Sequence, residues 1–175
     1  MQIIVINGMP RAGKDQFVLL CQRHMTWCKN ISTVDFVKQV ANFCGWDGTK
    51  TLENRAFLSE LKALLTKWGD VPYKKVENAA KAYEAEAEMY DFSTKDVLIF
   101  VHCREPKEID KFVTRMGAKT LLIRRAATEN NEQSNSSDMD VFNYKYDYII
   151  ENNGTLEELE DKAIAFLKEL GYRVY

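Results

Sequence analysis

The sequence predicts a three-layer α/β fold with a mainly parallel, five-stranded sheet. Three observations point to it. Short runs of β-branched and other apolar residues recur along the chain, stretches of helical periodicity separate them, and Gly, Pro, Asn and Asp stand at the junctions. Continuous apolar runs suit strands covered on both faces, and a helix between successive strands makes a parallel crossover. The 175 residues, 46% hydrophobic and 29% charged, suffice for a substantial core in one domain spanning 1–175. This composition excludes a disordered, collagen-like or disulfide-stapled chain. Twenty-four Lys+Arg against 26 Asp+Glu give a formal net charge of −2, without the basic surplus of a dedicated nucleic-acid binder.

The elements follow in order. Ile3-Ile4-Val5-Ile6 is the first strand, stopped by Asn7-Gly8. A helix begins after Gly13, with Phe17, Leu20, Cys21 and His24 on one face. Residues 30–33 make a second, short strand. Val34, Val37, Ala41 and Cys44 then recur at helical spacing until Gly45-Trp46-Asp47-Gly48 breaks the pattern. Leu58, Leu61, Leu65 and Trp68 mark a helix ending at Gly69. Asp70-Val71-Pro72 starts another, with Asp70 as its cap and Val76, Ala80, Tyr83, Ala87 and Tyr90 along one face. Val97 to Val101 is a strong buried strand. Glu105-Pro106 opens a helix that Gly117 closes. Thr120 to Ile123 and Tyr146 to Ile150, a strong apolar run, complete the strands. Between them, Ala126 to Ser137 carries almost no apolar side chains beyond two alanines, which predicts an exposed, mobile loop. Thr155-Leu156-Glu157-Glu158 is a capping-box pattern opening a helix with Leu156, Leu159, Ala163, Leu167 and Leu170, closed by Gly171.

Cys21, Cys28, Cys44 and Cys103 show no metal-like spacing and are expected to be reduced thiols, mostly in the core. The start of the chain lacks the pattern of a signal peptide, and no stretch reaches the roughly 18 apolar residues that cross a bilayer. A cytoplasmic location is the expectation.

Ligands in folds of this kind sit at the carboxyl ends of the strands. After the first strand comes Gly8-Met9-Pro10-Arg11-Ala12-Gly13-Lys14-Asp15, a G-x-x-x-x-G-K sequence followed by Asp. Glycines let the backbone curl so that its N–H groups converge on phosphate oxygens, and the helix that starts there adds its positive end. Gly8, Arg11, Ala12, Gly13, Lys14, Asp15 and Gln16 are therefore the expected nucleotide-binding residues. Lys14 is placed to reach the terminal phosphates of ATP. Asp15 stands where Ser or Thr is usual and offers a carboxylate oxygen to Mg²⁺.

With Gly-Lys-Asp at its end, this loop resembles the small-molecule kinase branch of the P-loop proteins. The likeness within it is to deoxynucleoside monophosphate kinases of the phage type and to animal-type phosphomevalonate kinases. Lys67-Trp68-Gly69 resembles a Trp-Gly helix end of the latter, and Arg104 with Glu108-Ile109 and Phe112 resembles their strand-then-arginine segment. Asp147 to Thr155 resembles the aspartate, strand, Asn-x-Gly segment of both groups. The resemblance implies a P-loop NTPase fold of the nucleoside monophosphate kinase kind. It also implies a lid loop over the donor at 126–138, and Asn153 and Gly154 beside its adenine. The acceptor would lie on a helical part at 33–92, where Asp35 and Lys38 resemble the segment that helps hold it in the deoxynucleoside monophosphate kinases. Two departures stand out: residues 126–137 contain no Lys or Arg, and His102 occupies the place of an aspartate near the metal.

Phosphoryl transfer needs positive charge around the moving group. Arg104, Arg124 and Arg125 follow strands and join Lys14 as catalytic candidates, with surface ion pairing as the alternative. Lys38, Arg55 and Lys62 are candidates for the acceptor's phosphate and could equally be solvated helix charges. Tyr73, Tyr83 and Tyr90 suit either base stacking or packing. The expected activity is ATP- and Mg²⁺-dependent phosphorylation of a small phosphorylated acceptor, foremost a (deoxy)nucleoside monophosphate. A non-nucleotide phosphate as acceptor and a non-catalytic nucleotide-binding module remain as alternatives.

Overall fold

The computed structural model describes residues 1–129 and 140–175. Five strands, β1 (Gln2–Asn7), β2 (Cys28–Ser32), β3 (Leu98–His102), β4 (Lys119–Arg124) and β5 (Tyr148–Glu151), form one sheet in the order β2-β3-β1-β4-β5. Every pairing is parallel. The helices are α1 (Lys14–Arg23), α2 (Asp35–Phe43), α3 (Leu52–Gly69), α4 (Val71–Met89), α5 (Pro106–Met116), the short α6 (Ala126–Glu129) and α7 (Leu156–Glu169). The expected three-layer parallel α/β architecture is what forms. β1 lies at the centre, so the loop after it emerges between the carboxyl ends of β3 and β4. The register puts Ile6 opposite His102 and Asn7 opposite Leu122.

Two apolar layers cover the sheet. On one face Ile4, Ile6, Phe100, Leu121 and Ile123 pack against Phe17, Leu20 and Cys21 of α1 and Leu159, Ala163, Phe166 and Leu167 of α7. On the other, Ile3, Val5, Ile99 and Val101 meet Tyr73, Val76, Ala80 and Ala87 of α4 and Ile109 and Phe112 of α5. Ile3 to Ile6 of β1 thus alternate between the layers while all four are buried, as a central parallel strand requires. No helix among the described residues is long and apolar enough to cross a membrane.

Several expectations change in detail. The run at 146–150 becomes a strand only from Tyr148, because the Asp147 carboxylate accepts hydrogen bonds from the Thr120 N–H (2.8 Å) and hydroxyl (2.9 Å). β5 is an edge strand, and Ile149 is 56% exposed. His24 falls just past the end of α1, where it contacts Glu160 and the Tyr175 carbonyl. Asp70 stands at the N-cap of α4, but with left-handed backbone (φ 55°) and no capping hydrogen bond from its side chain. Its carboxylate instead takes Lys111 (2.6 Å) and Arg115 (3.2 Å) of α5. The expected loop at 126–137 opens with the short helix α6, in which Thr128 is buried. Residues 130–138 of the expected lid lie outside the described residues. Of the cysteines, Cys44 is exposed and the other three are buried free thiols.

Candidate functional site

Gly8 leaves β1 with φ 147°, and a Cβ there would collide with the Ile123 carbonyl of β4. Gly13 caps α1 with φ 100°, and a Cβ there would collide with the Asn152 side chain. Arg11, at φ 65°, adds a left-handed residue between them. Positive φ at these points turns backbone N–H groups toward the inside of the loop, the geometry of an anion nest. Two buried asparagines brace it. Asn7 accepts the Gly8 N–H (2.8 Å) and donates to the Tyr146 hydroxyl (2.9 Å) and the Arg104 carbonyl (3.4 Å). Asn152 donates to the Ala12 carbonyl (2.8 Å). Lys14 folds over the loop, donating to the carbonyls of Gly8 (2.6 Å) and Met9 (2.9 Å). Its ammonium therefore stands at the mouth of the nest, where a phosphate would meet both. Gln16 is half-buried in the first turn of α1.

Asp15 is the second residue of α1, with its side chain 91% exposed, and its Oδ1 lies 3.6 Å from Nε2 of His102 at the end of β3. Burial lowers the pKa of His102; Asp15 and Asp35 oppose that shift, while Lys14 and Arg104 add to it. His102 Nε2 is enclosed and has no hydrogen-bond partner among the described residues. No group of three or more metal-ligating side chains occurs among those residues. An exposed carboxylate beside an imidazole nitrogen, at the mouth of a phosphate nest, nevertheless fits a cation shared with phosphate oxygens.

The arginines separate into two kinds. Arg104 and Arg125 are exposed at the ends of β3 and β4. Arg124 is held by Glu129 in a two-pronged pair (3.0 and 2.8 Å), stands 3.6 Å from Glu151 and lies over the Phe142 ring. Hydrogen bonding to Glu129 raises the Arg124 pKa and lowers that of Glu129. On the next loop, Asn153 accepts the Ala126 N–H (2.8 Å), tying the turn after β5 to the start of α6. Gly154 faces Glu158, which with Thr155 forms the expected capping box (3.2 and 3.3 Å).

On the helical side, the Asp35 carboxylate accepts the Ser32 N–H (2.8 Å) and so fixes the turn into α2. Lys38 and Arg55 are exposed. Lys62 is not, because it pairs with Glu108 of α5 (2.6 Å) and with Glu105 at the N-cap of that helix (3.6 Å). Burial opposes its charge, yet Glu108 foremost, with Cys103 and Glu105, outweighs burial and raises its pKa. Tyr73 packs on Phe112, and Tyr83 packs on Trp27, so both serve the core; Tyr90 leans on Trp27 but is largely exposed. Asn7 and Asn152 are the functional residues sequence reasoning missed. Their signal was available: each is a polar residue directly after, or one beyond, an apolar strand run.

No family model matches the chain, and no curated protein matches it by sequence. Solved structures do. The chain is similar to shikimate kinase from Aquifex aeolicus, with a TM-score of 0.53 and 11% identity over 98% of each chain. It is also similar to dephospho-CoA kinase from Campylobacter jejuni, with a TM-score of 0.52 and 13% identity over 97% of each chain. Parallel sheet, strand order and nest together give this chain the three-layer α/β/α fold of the P-loop kinases.

Proposed function

We propose that the chain is a cytoplasmic, ATP-dependent kinase that phosphorylates a small phosphorylated acceptor, specifically a (deoxy)nucleoside monophosphate. The observation that carries this reading is the nest of residues 8–13, closed by two glycines that tolerate no Cβ and crowned by the Lys14 ammonium. In it, backbone N–H groups and Lys14 hold the donor's phosphates, and Asp15 offers an oxygen to a divalent cation, which offsets phosphate charge when bound. Arg104 and Arg125 stand at the neighbouring strand ends to stabilise the moving phosphoryl group. Asn153 and Gly154 border the donor's base. Lys38 and Arg55, on the proposed acceptor part at 33–92, are the exposed cations for the acceptor's phosphate. That phosphate is itself the nucleophile, so the reaction needs no strong general base.

A coupled ADP-release assay across nucleoside monophosphates and mevalonate phosphate tests the reading. Turnover with a nucleoside monophosphate is expected; turnover with mevalonate phosphate alone moves the acceptor to the non-nucleotide class. The Arg124–Glu129 pair favours a second reading, because it occupies one predicted phosphate contact. Under that reading the chain is a nucleotide-binding module: ATP binds, and no acceptor yields product.

A further inference from the structure

We propose that Asp15 and His102 form a mixed oxygen–nitrogen site that takes a first-row transition-metal dication in preference to Mg²⁺, the ion completing its coordination on phosphates of the bound nucleotide. This deepens the kinase reading and rests on it.

Three observations converge. The first is the state of His102. Its Nε2 is enclosed by protein and has no hydrogen-bond partner among the described residues. A buried polar nitrogen without a partner is costly unless something else satisfies it. The second is direction. The nearest acidic oxygen is Asp15 Oδ1 at 3.6 Å, across the mouth of the nest rather than inside the core. Two donors on one ion at about 2.1 Å and a right angle stand about 3 Å apart. The Asp15 side chain is 91% exposed and has room to close that gap by rotation. The third is position. His102 lies opposite both Ile6 of β1 and Ser32 of β2, so it flanks the residue pair that launches the nest. Lys14, one residue before Asp15, already covers the loop. A cation between Asp15 and His102 therefore touches any phosphate held there.

The donor chemistry decides the ion. Mg²⁺ favours oxygen and accepts imidazole poorly, whereas first-row transition dications accept carboxylate and imidazole together. With only two protein donors, the site needs phosphate oxygens and water to complete it, so affinity for the metal should depend on nucleotide. The second nearby carboxylate, Asp35, is engaged with the Ser32 N–H and contributes charge rather than a ligand.

The chain contains two histidines, which makes the test direct. The full-length protein is labelled with ¹⁵N-histidine and loaded with Mn²⁺ and the β,γ-methylene analogue of ATP. Pulsed electron paramagnetic resonance then reads the nitrogen coupling at the manganese. A ¹⁵N coupling is expected, unchanged in His24→Asn, whose ring lies against Tyr175 and Glu160, and lost in His102→Asn. Calorimetric titration with the same analogue is expected to show that His102→Asn lowers the preference for Mn²⁺ over Mg²⁺ by about tenfold or more. His102→Asp is expected to shift that preference toward Mg²⁺. If His102→Asn does not fold, the labelled natural chain and His24→Asn decide alone. Nucleotide binding without ¹⁵N coupling, or coupling that follows His24, overturns this inference and leaves the kinase reading standing. Absence of nucleotide binding with either ion overturns both.

Discussion

The loop at residues 8–13 and helix α3 are held in opposite ways. The loop is fixed by backbone: its shape depends on the Ile123 carbonyl, on positive φ at Gly8, Arg11 and Gly13, and on two buried asparagines. Helix α3 buries none of its 18 residues fully, exposes Leu64 and Trp68, and uses Lys62 to grip the Glu108 carboxylate of α5. A site shaped by backbone is set once the sheet closes. A site shaped by side chains depends on which charges happen to meet, and Lys62 shows one that met its partner inside the protein.

The contrast can be broken at several points, beginning with the largest effect. Lys14→Ala is expected to lower kcat/KM by about 10²–10³-fold, as loss of a key charge-stabilising donor does, while the thermal midpoint changes little. Steady-state ADP release and a melting curve together check this; an activity loss below tenfold would remove the loop from the centre of the reaction. Gly8→Ala comes next, with an expected loss of about 2–3 kcal/mol in urea unfolding, since both φ and the Ile123 carbonyl oppose a Cβ. Gly48→Ala, before α3, also carries positive φ (83°) but has no atom within 4 Å of a Cβ, and is expected to cost about 1 kcal/mol. Equal losses would mean that the loop is no more tightly specified than the helical side.

Lys62→Met is expected to cost about 1–2 kcal/mol, because it strands Glu108, whose side chain is only 15% exposed. Glu108→Gln in the same chain should recover most of that loss, and the acceptor KM should move less than twofold (a rough bound for a residue outside the binding contact). A tenfold rise in KM with stability intact would instead make Lys62 the acceptor's anchor. The smallest effect concerns His24, whose pKa is raised by the Tyr175 carbonyl and then by Glu160. A raised value means that the contact stabilises the fold below the ordinary value of 6.5 and loses its contribution as pH rises through the folded value. His24→Ala is therefore expected to cost about 0.5 kcal/mol at acidic pH, the scale of an exposed pair, and nothing measurable at alkaline pH. Parallel unfolding curves at the two extremes read the difference.

The same contrast explains what the sequence revealed. Apolar runs and Gly-Lys spacing are local, and they located the strands, the nest and the capping box of α7 from residues adjacent in the chain. The partners of Lys62, Asp70 and Arg124 were not legible. The first two pair with residues of α5 about forty positions away, and Arg124 meets both Glu129 nearby and Glu151 across the sheet edge. Periodicity shows which face a side chain occupies and not which opposite charge another element brings to it. The edge position of β5 was hidden for a related reason: Tyr148-Ile149-Ile150 is apolar enough for a central strand, and only the topology leaves Ile149 without a cover.

The asparagine braces have a consequence for synthesis on the ribosome. Asn7 waits for Tyr146, and the carbonyl of Ala12 waits for Asn152. Residues 7–12 therefore have their shape completed by residues translated 139 and 140 positions later. A nascent chain that has emerged only through β4 holds the whole G-x-x-x-x-G-K sequence yet lacks the two contacts that set it. On the proposed kinase reading, a chain stopped after β4 is expected to capture nucleotide poorly.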